Sequence, residues 1–261
     1  MTRPLLDVSS LSVDYILEKV PLRAVNDISF QISKGSSMAL VGESGCGKTS
    51  VMLSLMRLLP AQGRIVSGEV KFEGKDLLQL SEQEMRSFRW RKMSIVFQGA
   101  MNALNPVRKV GEQIAEPIWR HGINDKRTAL QRADELLELV GVSPSRANQY
   151  PHQYSGGMRQ RAMIAMALAC SPDILIADEP TTALDVMVQA QLLELFQELL
   201  NKLGLSIIMV THDLGVVAEI CDYVLVMYSG RAVEIGSVDT IYNNPLHPYT
   251  QRLIEDRKSV V

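Results

Sequence analysis

Apolar and polar residues change their spacing along the chain, and this spacing predicts which element forms where. Near the N-terminus they alternate, which is typical of strands with one buried face. A short apolar run then leads directly into Gly42, and a helical pattern follows until Pro60, which cannot continue a helix. The predicted elements are strands over Leu5–Tyr15, Ala24–Ser33 and Ser37–Val41, a helix over Lys48–Leu59 and a hairpin over Gly63–Gly74.

The middle of the chain has helical spacing. Ser81–Lys92 is charged and helical, and Thr128–Val140 places four apolar residues on one helical face before Gly141 and Pro144 end it. The four are Leu130, Ala133, Leu137 and Val140. Residues 100 to 160 are therefore predicted to form a helical insert.

Short apolar strands and amphipathic helices alternate again after this insert. Strands are predicted over Ile174–Ala177, Leu205–Val210 and Tyr223–Tyr228, and a helix over Val188–Leu203 that ends at Gly204. Strands separated by helices imply an α/β fold, with a mostly parallel sheet that helices cover on both faces.

The composition fits such a core and narrows the function. Of 261 residues, 46% are hydrophobic and 21% are charged, which favours a globular protein with a sizeable core. The 27 basic and 29 acidic residues give a net charge of −2, which argues against a nucleic-acid partner held by electrostatics. The longest apolar run, Ala162–Cys170, has nine residues, whereas a membrane-spanning helix needs about 20.

The cysteines and the N-terminus indicate a reducing, cytoplasmic setting. Cys46, Cys170 and Cys221 are far apart and form no CxxC pair, so neither a disulfide framework nor a zinc site is predicted. Residues 1–7 lack the apolar stretch of a signal peptide.

The segment Gly42-Glu-Ser-Gly-Cys-Gly-Lys-Thr49 matches the phosphate-binding pattern GxxxxGK[ST] between a predicted strand and a predicted helix. Its glycines let backbone N–H groups approach phosphate oxygens, and the N-terminus of the following helix favours an anion. Lys48 offers a cation to the β- and γ-phosphates, and Thr49 offers a hydroxyl to Mg²⁺. The alternative is an ordinary glycine-rich turn, which the strand-loop-helix context disfavours.

A second segment carries two adjacent acids and has the composition of a catalytic site. Ile174-Leu-Ile-Ala-Asp178-Glu179 is an apolar strand that ends in two acids. In a phosphate-loop protein, an Asp at a strand end holds Mg²⁺ through a water, and the next acid orients or deprotonates an attacking water. The alternative is a strand that simply ends in solvent, and the phosphate loop upstream favours the catalytic interpretation.

A second anion-binding element precedes the apolar run Ala162–Cys170. Ser155-Gly-Gly157 stands at the predicted N-terminus of that helix, where N–H groups attract an anion. The alternative is an ordinary N-cap. Because one phosphate loop already binds one nucleotide, a second anion-binding element in the same chain requires an explanation.

In this combination and order, the motifs resemble those of the nucleotide-binding subunit of ABC transporters, over essentially the whole chain. Gly42–Thr49 is similar to Walker A, and Ile174–Glu179 to Walker B followed by the catalytic Glu. Tyr15 stands where the family has the aromatic residue that stacks on adenine. The other matching segments are Val96-Phe-Gln98 for the Q-loop, Ser155-Gly-Gly-Met-Arg-Gln for the signature, Thr182-Ala-Leu-Asp185 for the D-loop and Thr211-His212-Asp213 for the switch histidine.

The resemblance implies a site for ATP and Mg²⁺ and a role for each matching residue. The implied catalytic residues are Glu179, His212, Lys48 and Gln98, and the implied metal-binding residues are Thr49, Gln98 and Asp178. The implied nucleotide-binding residues are Tyr15, Gly42, Glu43, Ser44, Gly45, Cys46, Gly47, Lys48, Thr49, Ser50, Gln98, Asp178, Ser155, Gly156, Gly157 and Asp185.

The resemblance also implies an assembly and a domain organisation. Two such subunits, identical or different, meet head to tail, and each ATP lies between Walker A of one and the signature of the other. This arrangement explains the second anion-binding element. They bind two permease subunits at the cytoplasmic face of the membrane and act indirectly with a solute-binding protein, without nucleic acid. The implied fold is a RecA-like phosphate-loop core with an N-terminal antiparallel β subdomain. The implied single domain has its core in residues 1–99 and 162–235, a helical subdomain in 100–161 and a short tail in 236–261.

Further sequence features indicate a subfamily within this family, and several alternative functions stay open. Met158 in the signature, the segment Ala100–Val107 after the Q-loop and Asn244-Pro-Leu-His-Pro-Tyr-Thr250 in the tail look like ATPases of the peptide/nickel group of importers. We therefore expect a subunit that powers import of di- or oligopeptides, with nickel or glutathione import as an alternative. The segment Gly99–Glu116 is expected to line the groove that faces the permease. The rivals are an ATPase of a soluble complex of the phosphonate-degrading type, an ATPase of DNA repair or translation, and a phosphate-loop kinase.

Overall fold

Strand and helix boundaries follow the apolar pattern closely in the computed structural model, which describes residues 3–97, 103–182 and 184–258. The chain divides into two compact units: Met1–Met85 with Ser206–Val261, and Arg86–Leu205. Helix α2 (Glu82–Phe88) spans the division between them.

The first unit contains two groups of strands. Strand β1 (Leu6–Leu17) pairs antiparallel with β2 (Val20–Ile32) and with β4 (Gly63–Phe72), and β4 pairs with β5 (Lys75–Asp76). In the other group, β3 (Ser37–Val41) lies parallel to β8 (Ser206–Thr211) and to β9 (Tyr223–Tyr228), and β10 (Arg231–Ser237) runs antiparallel to β9. The helices of this unit are α1 (Lys48–Leu55), α7 (Leu214–Ile220), α8 (Val238–Asn243) and α9 (Pro248–Lys258).

The second unit is mainly helical. Strand β6 (Met93–Val96) lies parallel to β7 (Ile174–Asp178), whose five residues are all buried. Its helices are α3 (Val110–Arg120), α4 (Lys126–Leu139), α5 (Gly156–Ala167) and α6 (Val186–Leu203). Buried parallel strands, flanking helices and an N-terminal antiparallel sheet confirm the predicted α/β class. Within the described residues, no helix combines the length and the apolar content needed to cross a bilayer.

Two local predictions are wrong, each for a physical reason. Helix α1 ends at Leu55 rather than Leu59 because Arg57 adopts a left-handed conformation (φ 50°), and Leu58 N–H donates back to the Leu53 carbonyl, closing a Schellman cap. On α4, Leu130 remains partly exposed. The buried face of α4 is instead made by Ala129, Ala133, Leu136 and Leu137.

Candidate functional site

The phosphate loop connects buried strand β3 to α1, and two of its glycines are required by close backbone contacts. Gly42 and Gly47 have φ of 152° and 104°. A Cβ at Gly42 would lie 2.2 Å from the Met227 carbonyl oxygen, and one at Gly47 would lie 2.5 Å from that of Ala24. Any larger residue would push the loop away from the strands that hold it.

Lys48 is almost fully buried beneath this loop. Its ammonium donates to the carbonyl oxygen of Gly42 at 2.6 Å and to that of Glu43 at 2.9 Å. Gly47 caps α1 without a side-chain hydrogen bond, so no side chain of the cap competes with an incoming anion for the first N–H groups. The arrangement is a cation and a helix N-terminus at one loop, which fits a polyphosphate.

Most of the other loop residues are open to solvent. Glu43, Ser44, Gly45 and Thr49 are exposed, whereas Cys46 is buried and its carbonyl accepts the N–H of Gly230 at 3.0 Å. The exposed Thr49 carries a hydroxyl, a hard oxygen ligand of the kind that Mg²⁺ accepts.

Tyr15, the residue implied to stack on adenine, lies near the same loop. The hydroxyl of Ser50 donates to the Tyr15 hydroxyl oxygen at 3.3 Å. This bond fixes the edge of the ring beside α1. The structure therefore places Tyr15, Lys48 and Ser50 together in the first unit.

The acidic pair in the second unit lies at the end of β7. Asp178 is buried, whereas Glu179 is partly exposed and has a left-handed backbone (φ 45°), a conformation that costs a non-glycine residue energy. The Glu179 carboxylate accepts the Thr182 hydroxyl at 3.0 Å, and its carbonyl accepts the Thr182 N–H at 3.2 Å. A strained turn and a threonine thus set the direction of this acid.

The signature segment begins α5. Ser155 is an exposed N-cap whose hydroxyl accepts the Met158 N–H at 3.3 Å. Gly157 has no room for a side chain, since a Cβ there would lie 2.8 Å from Cγ1 of Val188 on α6. Burial raises the pKa of the preceding Tyr154 phenol to about 12, so this hydroxyl remains protonated and donates to the Arg146 carbonyl at 2.9 Å.

Sequence reasoning missed two residues that support the acidic turn. Besides Thr182, buried Gln160 donates from its side-chain amide to the Pro180 carbonyl at 2.9 Å. This bond connects the signature helix to the turn that carries Glu179. The sequence signal was present, because Gln160 belongs to the signature and Thr182 follows Glu179 by three residues, but only the fold shows what each contacts.

The remaining predicted residues lie at helix starts or outside the described residues. Asp185 caps α6 by accepting the Val188 N–H at 2.9 Å. His212 is exposed in the first unit, between the end of β8 and Asp213, which caps α7 by accepting the Gly215 N–H at 2.8 Å. Gln98, with Gly99–Asn102 and Ala183, lies outside the described residues.

Comparison with known sequences matches most of this chain to a single protein family. The sequence model of the family described as "ABC transporter" matches residues 25–182. A probable peptide ABC transporter ATP-binding protein of Sinorhizobium fredii is 51% identical over 96% of this chain and 76% of its own length. The oligopeptide transport ATP-binding protein OppD of Bacillus subtilis is 50% identical over 96% of this chain and 71% of its own length.

Solved structures with this fold include two ATP-binding cassettes. The cassette MJ0796, as a dimer in a post-hydrolysis state bound to ADP and Pi, is 26% identical with a TM-score of 0.79, covering 89% of this chain and 98% of that one. Clostridium perfringens cbiO1, part of the ABC transporter complex cbiONQ, is 27% identical with a TM-score of 0.80, covering 93% of this chain and 92% of that one.

Proposed function

The chain belongs to the ABC transporter family, and we propose that it is the ATP-binding and ATP-hydrolysing subunit of an importer of di- or oligopeptides. The observation that carries this proposal is the preformed phosphate loop, with Lys48 buried beneath it, in a chain half identical to peptide transport ATP-binding proteins along almost its full length. The peptide class comes from those relatives, since this subunit does not itself touch the solute.

The adenine and the phosphates of ATP are assigned to residues of the first unit. The N–H groups of Gly42–Ser50 and the Lys48 ammonium bind the phosphates, and Tyr15 stacks on the adenine. Thr49, Asp178 and Gln98 are proposed to hold Mg²⁺, a hard cation that takes few protein oxygens beside phosphate and water. When bound, the cation neutralises charge that develops on the phosphates.

Hydrolysis is assigned to Glu179 and His212. Glu179 accepts a proton from, or orients, the water that attacks the γ-phosphate, and its strained, Thr182-bonded position keeps the carboxylate directed without reorganisation. His212 contacts the γ-phosphate, and Lys48 stabilises the developing charge. Catalysis then rests on positioning and electrostatics.

Two subunits are proposed to form the complete enzyme. The exposed N-terminus of α5, with Ser155, Gly156 and Gly157, would contact ATP held by the phosphate loop of a second subunit, and Asp185 starts the helix beside it. The dimeric cassette with ADP and Pi supports this arrangement. ATP then closes the dimer because it bridges two surfaces, and hydrolysis removes the bridge.

A groove in the second unit is proposed to face the permease. Its volume is about 410 Å³, and Trp90, Arg108, Glu116, Pro117 and Met166 are among its lining residues. Gln113 fixes the loop beside it by donating to the carbonyls of Asn105 and Arg108 at 3.0 Å, and Val107 on this loop is 79% exposed. The hydrogen bond from Arg108 is the main cause that lowers the pKa of Glu116. The groove therefore contains an Arg108–Glu116 ion pair next to the exposed apolar side chain of Val107.

The importer assignment is tested by isolating the chain with its partners. A tagged copy, purified from detergent-solubilised membranes of its native cells, should retain two polytopic membrane subunits and place the subunit at the cytoplasmic face. In proteoliposomes with its solute-binding protein, the complex should hydrolyse ATP faster and take up label when given di- or oligopeptides. Recovery with soluble enzyme subunits instead, or stimulation by nickel or glutathione alone, would contradict the peptide importer.

Thr182→Val is expected to lower ATP turnover by about threefold to tenfold, because it removes the hydrogen bond that directs Glu179 while preserving side-chain size. ATP affinity should remain at the wild-type value, since Thr182 acts through Glu179. Phosphate release under saturating ATP measures the effect. Thr182→Ser keeps the hydroxyl and is the matched control, so equal losses in both variants would exclude the positioning role.

A further inference from the structure

The tail segment Asn244–Thr250 reaches the phosphate loop, although the proposed function gives it no task. The N–H of Glu43 donates to the hydroxyl oxygen of Tyr249 at 3.1 Å. We infer that Tyr249 is a positioning residue, which fixes the first turn of the phosphate loop and thereby raises its affinity for nucleotide. This inference rests on the proposed function of that loop.

Tyr249 is held on both sides by neighbours in the first unit. Its ring packs against Tyr228, the last residue of β9, with 4.6 Å between ring centroids. Its N–H donates to Nδ1 of His247 at 3.1 Å. Because the Met227 carbonyl borders Gly42 and the Gly230 N–H donates to the Cys46 carbonyl, the same end of β9 supports both the tyrosine and the loop.

Glu234 on β10 anchors the tail that carries Tyr249. One carboxylate oxygen accepts the Leu246 N–H at 2.8 Å, and the other accepts the His247 N–H at 3.0 Å. Burial alone would raise the pKa of Glu234, but the Leu246 N–H and the other polar groups around the carboxylate, the His247 N–H among them, lower it below its ordinary value. The acid therefore stays ionised at neutral pH, and as an acceptor for two successive N–H groups it fixes the start of α9.

Glu43 connects the tail to the catalytic lysine through its backbone. Its N–H is bound by Tyr249, while its carbonyl oxygen accepts the Lys48 ammonium at 2.9 Å and the Cys46 N–H at 3.2 Å. When a phosphate binds, Lys48 must exchange carbonyl oxygens for phosphate oxygens. The Tyr249 hydroxyl holds the Glu43 peptide in place during this exchange. The loop therefore stays ordered, and the free-energy cost of ordering it on nucleotide binding is reduced.

The direct test is Tyr249→Phe in the full chain, which removes the hydroxyl and keeps the ring against Tyr228. We expect the dissociation constant for MgADP, measured by isothermal titration calorimetry, to rise about threefold to tenfold, the range for one hydrogen bond. The thermal midpoint should stay at the wild-type value. Tyr223→Phe, at the opposite end of β9, is the matched control and should bind as the wild type does.

A double-mutant cycle separates positioning from general packing. Glu234→Gln has one carbonyl oxygen for two N–H donors, so it should loosen the tail and weaken MgADP binding in the wild-type background, but add nothing once the Tyr249 hydroxyl is gone. Additive losses, or wild-type affinity in Tyr249→Phe, would overturn the inference alone. A wild-type chain that does not bind MgADP would instead overturn the proposed function.

Discussion

Glu179→Gln is expected to lower ATP turnover by about a hundredfold or more while ATP affinity stays close to the wild-type value. The amide has the size of the carboxylate and can still accept the Thr182 hydroxyl, so the strained turn is retained. What it loses is the ability to take a proton from water, and general-base catalysis contributes roughly 10²–10⁴ in rate. The phosphate loop, which belongs to the first unit, is unchanged.

The measurement pairs phosphate release from the purified complex with nucleotide binding and assembly. The variant should accumulate as an ATP-dependent dimer in size-exclusion chromatography, because ATP remains intact between the subunits. Glu194→Gln, an exposed acid on α6, is the matched control and should hydrolyse ATP normally. Wild-type turnover in Glu179→Gln would show that another group activates the water.

Lys48→Ala is expected to act at the preceding step and to weaken ATP binding itself by about tenfold to a hundredfold. The buried ammonium is already directed at the loop by the Gly42 and Glu43 carbonyls, so little order is lost when it turns to a phosphate. Hydrogen bonds to charged groups are worth about 1.5–3 kcal/mol each, which corresponds to this loss. Turnover falls with affinity, unlike in Glu179→Gln.

Calorimetric titration with ATP separates these two effects. Lys202→Ala, which removes an exposed lysine paired with Glu198 on α6, is the control, because surface ion pairs contribute little. Its affinity for ATP should match the wild type. If Lys48→Ala bound ATP with unaltered affinity, Lys48 would have no role in holding phosphate, and the loop would have to act through its N–H groups alone.

The phosphate loop shows what local sequence can predict. The spacing of Gly42, Gly47 and Lys48 places a cation next to a helix N-terminus whatever the rest of the chain does, because only a few backbone dihedrals separate these groups. Strands such as β3 and β9 were likewise predicted at their observed bounds, since a continuous apolar run flanked by turn residues has few other structures to adopt. The acidic end of β7 follows from the same local pattern.

Other features depend on tertiary contacts, which a short stretch of sequence does not reveal. Helix α1 stops at Leu55 because a left-handed Arg57 closes its last turn and its guanidinium donates to the Leu80 carbonyl at 2.6 Å. Leu130 matched the helical period, but α4 buries the neighbouring Ala129 instead, since the packing partner selects the face. Strand β10 was not predicted, because its half-exposed residues give little apolar signal.

The sequence by itself determined the family of this protein and predicted the chemistry proposed for it, namely a loop for phosphate, acids at a strand end and a second helix start for an anion. Tertiary structure decided which atoms hold that chemistry in place. These are the bond from the Thr182 hydroxyl to the Glu179 carboxylate, the bond from the Gln160 side-chain amide to the Pro180 carbonyl and the bond from the Glu43 N–H to the Tyr249 hydroxyl. The last joins residues 206 positions apart, and a contact of that separation leaves no trace in spacing, because it exists only after the strands between have paired.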